Sequence, residues 1–163
     1  MRLPLALILL MVCCGVAAAP SSVTETTAFV QDIDSAAQEA VAVVEAFSAA
    51  IKGVRIDDAS ALLDPSVLVL ESGGSERSRD EYLSHHAKAD AEYMKDARQK
   101  LRYRQARVVG DIAWVSSESI ISHDRDGKPT SSLSTETMVL RKTEQGWKIV
   151  HIHWSSRPAP GAS

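Results

Sequence analysis

Of the five histidines in the chain, four stand in two close pairs. His151 and His153 belong to the run Trp147-Lys148-Ile149-Val150-His151-Ile152-His153-Trp154, which has the apolar, β-branched character of a strand. Strand residues two apart point to one side, with Cα atoms roughly 6.5–7 Å apart. Trp147, Ile149, His151 and His153 are therefore expected on one face, and Lys148, Val150, Ile152 and Trp154 on the other. Two imidazoles so placed can converge on one metal ion or one anion. In the plainer alternative one is a core histidine bonded to a neighbouring strand and the other lies at a rim.

The second pair, His85 and His86, falls in a helical stretch, where adjacent residues diverge by about 100°. His86 shares a stripe with Tyr82 and Tyr93, and Asp90 lies one turn on. An Asp90–His86 contact would fix the ring and raise its basicity, as in metal sites. A helix laid over the mouth of a sheet would carry His86 to His151 and His153. Three imidazoles suit zinc or copper, with copper favoured on intrinsic affinity. No short metal signature such as His-Glu-x-x-His is present.

Carboxylates offer a different chemistry. Glu71 ends an apolar run, Glu118 lies within a strand, and Glu136 lies on the facing stretch. A carboxyl group in an apolar cavity has a raised pKa and can act as a base, which makes Glu71 and Glu118 the catalytic candidates. Glu118 and Glu136 alternate with Ser and Thr, a pattern that also fits a solvent-facing or interface strand. Arg102 and Arg104 share a strand face and could receive a carboxylate, although such arginines commonly form surface pairs. Asp124 and Asp126 before Gly127 lack the further ligands of a calcium loop and read as a turn.

These residues need a scaffold. Val41, Val44, Phe47 and Ile51 recur at helical spacing from Ser35 onward, with Gly53 as the stop. A shorter helix is expected from Asp57 as its cap to just before Pro65, burying Leu62 and Leu63. Val67–Leu70 reads as a strand closed by Gly73 and Gly74. Ser78 and Glu81 form a capping box for a helix that runs to about Ala97. Four strands follow: Leu101–Val109, Ile112–Ser122, Ser132–Arg141 and Trp147–Trp154. Gly110-Asp111 and Glu144–Gly146 are the turns, and His123–Pro129 is a polar loop. Helices first and a long antiparallel meander last predict an α+β domain whose bent sheet wraps over the helices.

The 163 residues allow one domain. With 45% hydrophobic and 24% charged residues the composition is globular. A net charge of −3 without a basic run excludes a nucleic-acid surface. Arg2, the apolar run Leu3–Val12 and the small residues Gly15–Ala19 form an export signal, with Val16 and Ala18 placing the cut before Ala19. The apolar run is shorter than the roughly 20 residues needed to span a bilayer, and no later segment approaches that length. Cleavage removes both cysteines, Cys13 and Cys14; lipidation at either is the less favoured alternative. Residues 1–18 are thus a signal peptide, 19–34 a flexible lead-in, 35–156 the domain and 157–163 a frayed tail. The mature chain is expected in the periplasm or outside the cell.

Three stretches carry a family resemblance: the opening helix running into Val67-Leu68-Val69-Leu70, then Gly110-Asp111-Ile112-Ala113-Trp114-Val115, and most specifically Thr135–Arg141 followed by Gly146–Ser155. The chain resembles the nuclear transport factor 2-like superfamily, in its SnoaL-like or DUF4440-type branch, and is similar to the association domain of a calcium/calmodulin-dependent kinase. The resemblance implies a cone-shaped fold, a pocket between sheet and helix, and often a homodimer through the outer sheet face. It does not extend to the tyrosine and paired acids of the ketosteroid isomerases, and it fixes no single activity. The expected pocket residues are Tyr82, His86, Trp114, His151 and His153. The expected function is binding of a small molecule or metal ion. An acid–base enzyme acting on a small organic substrate and a dimeric assembly module are the alternatives.

Overall fold

The computed structural model describes residues 29–125 and 127–160. The expected signal peptide, most of the lead-in and the last three residues lie outside these. Within them, α1 (Gln38–Lys52) is followed by α2 (Ile56–Leu62), β2 (Leu63–Glu71), β3 (Gly74–Glu76), α3 (Arg79–His85) and α4 (Ala87–Lys95). Four long strands then follow: β4 (Arg98–Val109), β5 (Ile112–Arg125), β6 (Lys128–Thr143) and β7 (Gly146–Pro158). A short strand, β1 (Val30–Ile33), precedes them all. The seven strands form one sheet in the order β1-β4-β5-β6-β7-β2-β3. β1 runs parallel to β4 and β2 parallel to β7, while the other pairs are antiparallel. The α+β prediction holds, with a curved, open sheet packed on its concave side against the helices.

Several boundaries differ from expectation for physical reasons. Val30–Ile33 is a strand within the expected lead-in, because the edge of β4 offers free ladder positions from Tyr103 to Ala106. α2 starts at Ile56, with Asp57 and Asp58 in its first turn, and gives way to β2 at Leu63. Pro65 is accommodated in β2, where the ladder to β7 shifts register between Leu63 and Leu68. The residues expected as a loop, His123–Pro129, mostly continue the β5–β6 ladder down to Lys128.

The expected long helix is interrupted at His86. Ser78 caps α3 as predicted, its Oγ accepting from the Glu81 N–H at 3.1 Å, while Glu81 Oε2 accepts from the Arg77 N–H at 2.7 Å. Beyond the break the buried stripe moves from Tyr82 to Ala87 and Ala91, which leaves His86 and Tyr93 exposed.

The core forms where α1 lies on the sheet. Val41, Val44, Phe47 and Ile51 are buried as their spacing predicts. They meet the inner rows of the strands: Val67 and Val69 of β2, Ala113 and Val115 of β5, Met138 and Leu140 of β6, and Ile149 and Ile152 of β7. Small alanines on α1, α4 and β5 let helix and sheet approach closely at this end. Toward the other end the inner face changes from aliphatic side chains to serines, and the packing opens.

Candidate functional site

The opening is a cavity of about 520 Å³ between α1, α4 and the inner face of the sheet. Phe47 and Ile51 of α1 and Tyr93 and Met94 of α4 supply one wall. The opposite wall is Ser117, Ser119 and Ile121 of β5, Ser132, Ser134 and Glu136 of β6, and Trp154 of β7. Apolar surface with a few convergent polar groups is the usual composition of a small-molecule site.

Glu136 is the polar centre. It shares strand parity with Met138 and Leu140, so it points inward with the core. Its neighbour across the ladder is Trp154, whose Nε1–H donates to Glu136 Oε2 at 2.8 Å. Burial raises the Glu136 pKa; the Trp154 hydrogen bond and the charge of Arg104 pull it back in part. Glu71, on the other side of Trp154 in register, also lines the cavity. Partial burial raises its pKa, and Asp90 adds to the rise. The Trp154 ring stacks on Phe47 at 6.4 Å and lies 6.3 Å from the Tyr82 ring.

Asp90 completes the set from the helical side. Its carboxylate takes a hydrogen bond from the hydroxyl of fully buried Tyr82 at 2.9 Å, and burial raises its pKa. Tyr82 is pushed above the ordinary phenol value, first by burial and then by Asp90. Two carboxyl groups with raised pKa, each held by a neutral donor, can accept or give a proton to a molecule in the cavity.

The histidines are not brought together. The β6–β7 ladder shifts register between Val139 and Leu140, so β7 carries an extra residue between Ile149 and His151. The bulge reverses the parity of the strand. Trp147, Ile149, Ile152 and Trp154 face inward, and His151 and His153 face outward. His151 Nδ1 lies 2.9 Å from the Leu68 carbonyl on the neighbouring strand. His86 pairs with Glu76 rather than Asp90, and its side chain is 57% exposed. Glu76 raises the His86 pKa by hydrogen bond and charge. Among the described residues no group of three or more His, Cys, Asp or Glu is placed to hold a metal ion. The expected zinc or copper centre of His86, His151 and His153 is corrected on this geometry.

Three further expectations change. Trp114 lies on the outer face opposite Val139, because Ala113 and Val115 take the inner positions. Glu118 is exposed on that same outer face, opposite Thr135. Arg104, unlike Arg102, turns inward, where it is buried and binds Glu45 at 2.6 Å and Ser117 at 3.2 Å. Of the expected pocket residues, Tyr82 supports the site through Asp90 and Trp154. Glu136 and the serines that line the cavity were hidden by their hydrophilic alternation; the signal that marks Glu136 is its phase with Met138 and Leu140.

The SnoaL-like domain family matches residues 40–160. The chain belongs to this family. A candidate ketosteroid isomerase from Shewanella frigidimarina NCIMB 400 is similar at 35% identity and TM-score 0.70, over 76% of this chain and 99% of that one. The S. rosetta CaMKII hub shares 21% identity at TM-score 0.65, over 74% of this chain and 95% of that one. A candidate dehydratase of the NTF2-like family from Streptomyces avermitilis also shares 21% identity at TM-score 0.65, over 76% and 97%. The last two show the fold alone. No curated protein matches the sequence. No described helix is long and apolar enough to cross a membrane.

Proposed function

We propose that this SnoaL-like domain is exported and takes a small organic molecule into the cavity between α1, α4 and the sheet, with Glu136 as its polar anchor. The observation that carries this reading is the Glu136 carboxyl group, inward-facing and held by the Trp154 N–H in a cavity of about 520 Å³. Arg104 and Trp154 compensate this carboxyl group only in part, and burying such a group costs stability, so its inward position is better explained by a ligand than by packing. Export rests on the N-terminal signal alone.

A homodimer through the outer sheet face is part of the reading. Leu68, Trp114, Val139 and His151 form an exposed or half-buried row across four strands there. Relatives with this fold include kinase association domains and hubs.

Native mass spectrometry of the exported protein tests both parts. The expected spectrum is a dimer carrying an organic adduct, absent from a Ser132→Phe variant that fills the cavity. A wild-type protein that carries no adduct and binds nothing from a fragment library would overturn the reading.

Acid–base catalysis is the second reading, favoured by the raised pKa of both Glu136 and Asp90 and by the similarity to a candidate ketosteroid isomerase. Enzymatic turnover of a carbonyl substrate that disappears in Glu136→Gln would establish it; binding without turnover would leave the domain as a binding module.

A further inference from the structure

The titratable side chains that line the cavity are Glu71, Asp90, Tyr93 and Glu136, with no Lys, Arg or His among the lining residues. The basic groups whose charge reaches these carboxyl groups lie outside the lining and are each paired with a further acid. Arg104 is bound by Glu45, and His86 by Glu76. Asp90 and Glu136 instead take hydrogen bonds from neutral donors, the Tyr82 hydroxyl and the Trp154 indole. An indole N–H can only donate, so Trp154 presents to Glu136 a group that favours the anion. Glu136 and Glu71 flank Trp154 in one row across β6, β7 and β2. Phe47, Tyr93 and Trp154 add aromatic surface to the same cavity. Aromatic faces attract cations through the ring quadrupole, most strongly for Trp and in sites shielded from water.

Resting on the reading that the cavity binds a small organic molecule, we infer that this molecule is an organic cation, an amine attached to a flat apolar body. The ammonium group sits among Glu136, Glu71 and Asp90, and the body lies between the Phe47–Trp154 stack and Met94. A neutral ligand leaves three carboxyl groups facing it with only partial compensation from Arg104 and His86, neither of which lines the cavity, and an anion is repelled by all three. The serines of β5 and β6 supply further acceptors for the ammonium protons.

The test is a comparison of three indoles of nearly equal shape, tryptamine, tryptophol and indole-3-acetate, by calorimetry and ligand-observed NMR on the full mature chain. Tryptamine is expected to bind about tenfold tighter than tryptophol, in line with one charge-assisted contact, and indole-3-acetate weakest. Glu136→Gln and Asp90→Asn should each narrow the gap between tryptamine and tryptophol. The preference for tryptamine should also grow from about pH 4 to about pH 8, as the carboxyl groups ionise. Tryptophol binding as tightly as tryptamine would overturn the cation while leaving the cavity's ligand-binding role intact. Binding of none of the three would overturn the cationic ligand proposed here, and no binding from a fragment library as well would overturn the cavity reading with it.

Discussion

The Trp154 indole donates to Glu136 Oε2 at 2.8 Å from the adjacent position on the next strand. This contact holds a carboxyl group on the inner face of the sheet, where the aliphatic core gives way to the serine-lined cavity. Burial raises the Glu136 pKa above that of the unfolded chain, so the folded state keeps its proton at a pH where the unfolded state has lost it. Stability therefore falls as pH rises from the ordinary carboxylate range toward the raised value, and is flat above it. Glu136→Gln should be more stable than wild type at neutral pH, with the difference closing in acid. Urea denaturation at several pH values checks this; equal stability at every pH would contradict it.

His86 gives the same sign in the imidazole range, but from a favourable contact rather than from burial. Its pKa is raised by the hydrogen bond and charge of Glu76. The stabilisation is fully present below the unfolded imidazole value and is lost as pH rises through the folded one. Glu76→Gln should return the His86 titration midpoint downward, read by NMR of the imidazole carbon-bound protons. An unmoved midpoint would show that the pair does not form in solution.

Ser78 caps α3 through Glu81 N–H. Ser78→Ala should cost about 1 kcal/mol in chemical denaturation. Because α3 carries Tyr82, which holds Asp90, the same variant should weaken cavity binding modestly without changing its selectivity.

Val139 sits on the outer sheet face between Trp114 and His151. Val139→Glu places a charge in the proposed interface and should convert the dimer to monomer in sedimentation velocity, with the helix and sheet content unchanged. A dimer that survives the substitution would place the interface elsewhere.

The helix spacing of Val41, Val44, Phe47 and Ile51 and the strand–turn–strand order were legible because burial enforces them and each rests on local pattern. The last strand was not, because one bulge between Ile149 and His151 inverts the side on which every later residue falls. That inversion moved Trp154 into the cavity and both histidines out of it. The break at His86 similarly shifted the helical stripe. Edge strands such as Val30–Ile33 carry little signal of their own, since a neighbouring strand far along the chain creates them. Glu136 was visible as an acid but not as an inward one, because the serines flanking it on alternate positions line a cavity rather than solvent.

The most direct test of a ligand in this cavity uses the indole resonances of the three tryptophans in uniformly nitrogen-15-labelled protein. Trp154 lines the cavity, Trp147 is buried in the core and Trp114 lies on the outer sheet face. Titration with tryptamine should move the Trp154 indole signal, through its bond to Glu136, and leave those of Trp114 and Trp147 in place. A Trp154 signal that stays fixed at saturating ligand, or a response confined to Trp114, would contradict the assignment of the cavity as the binding site.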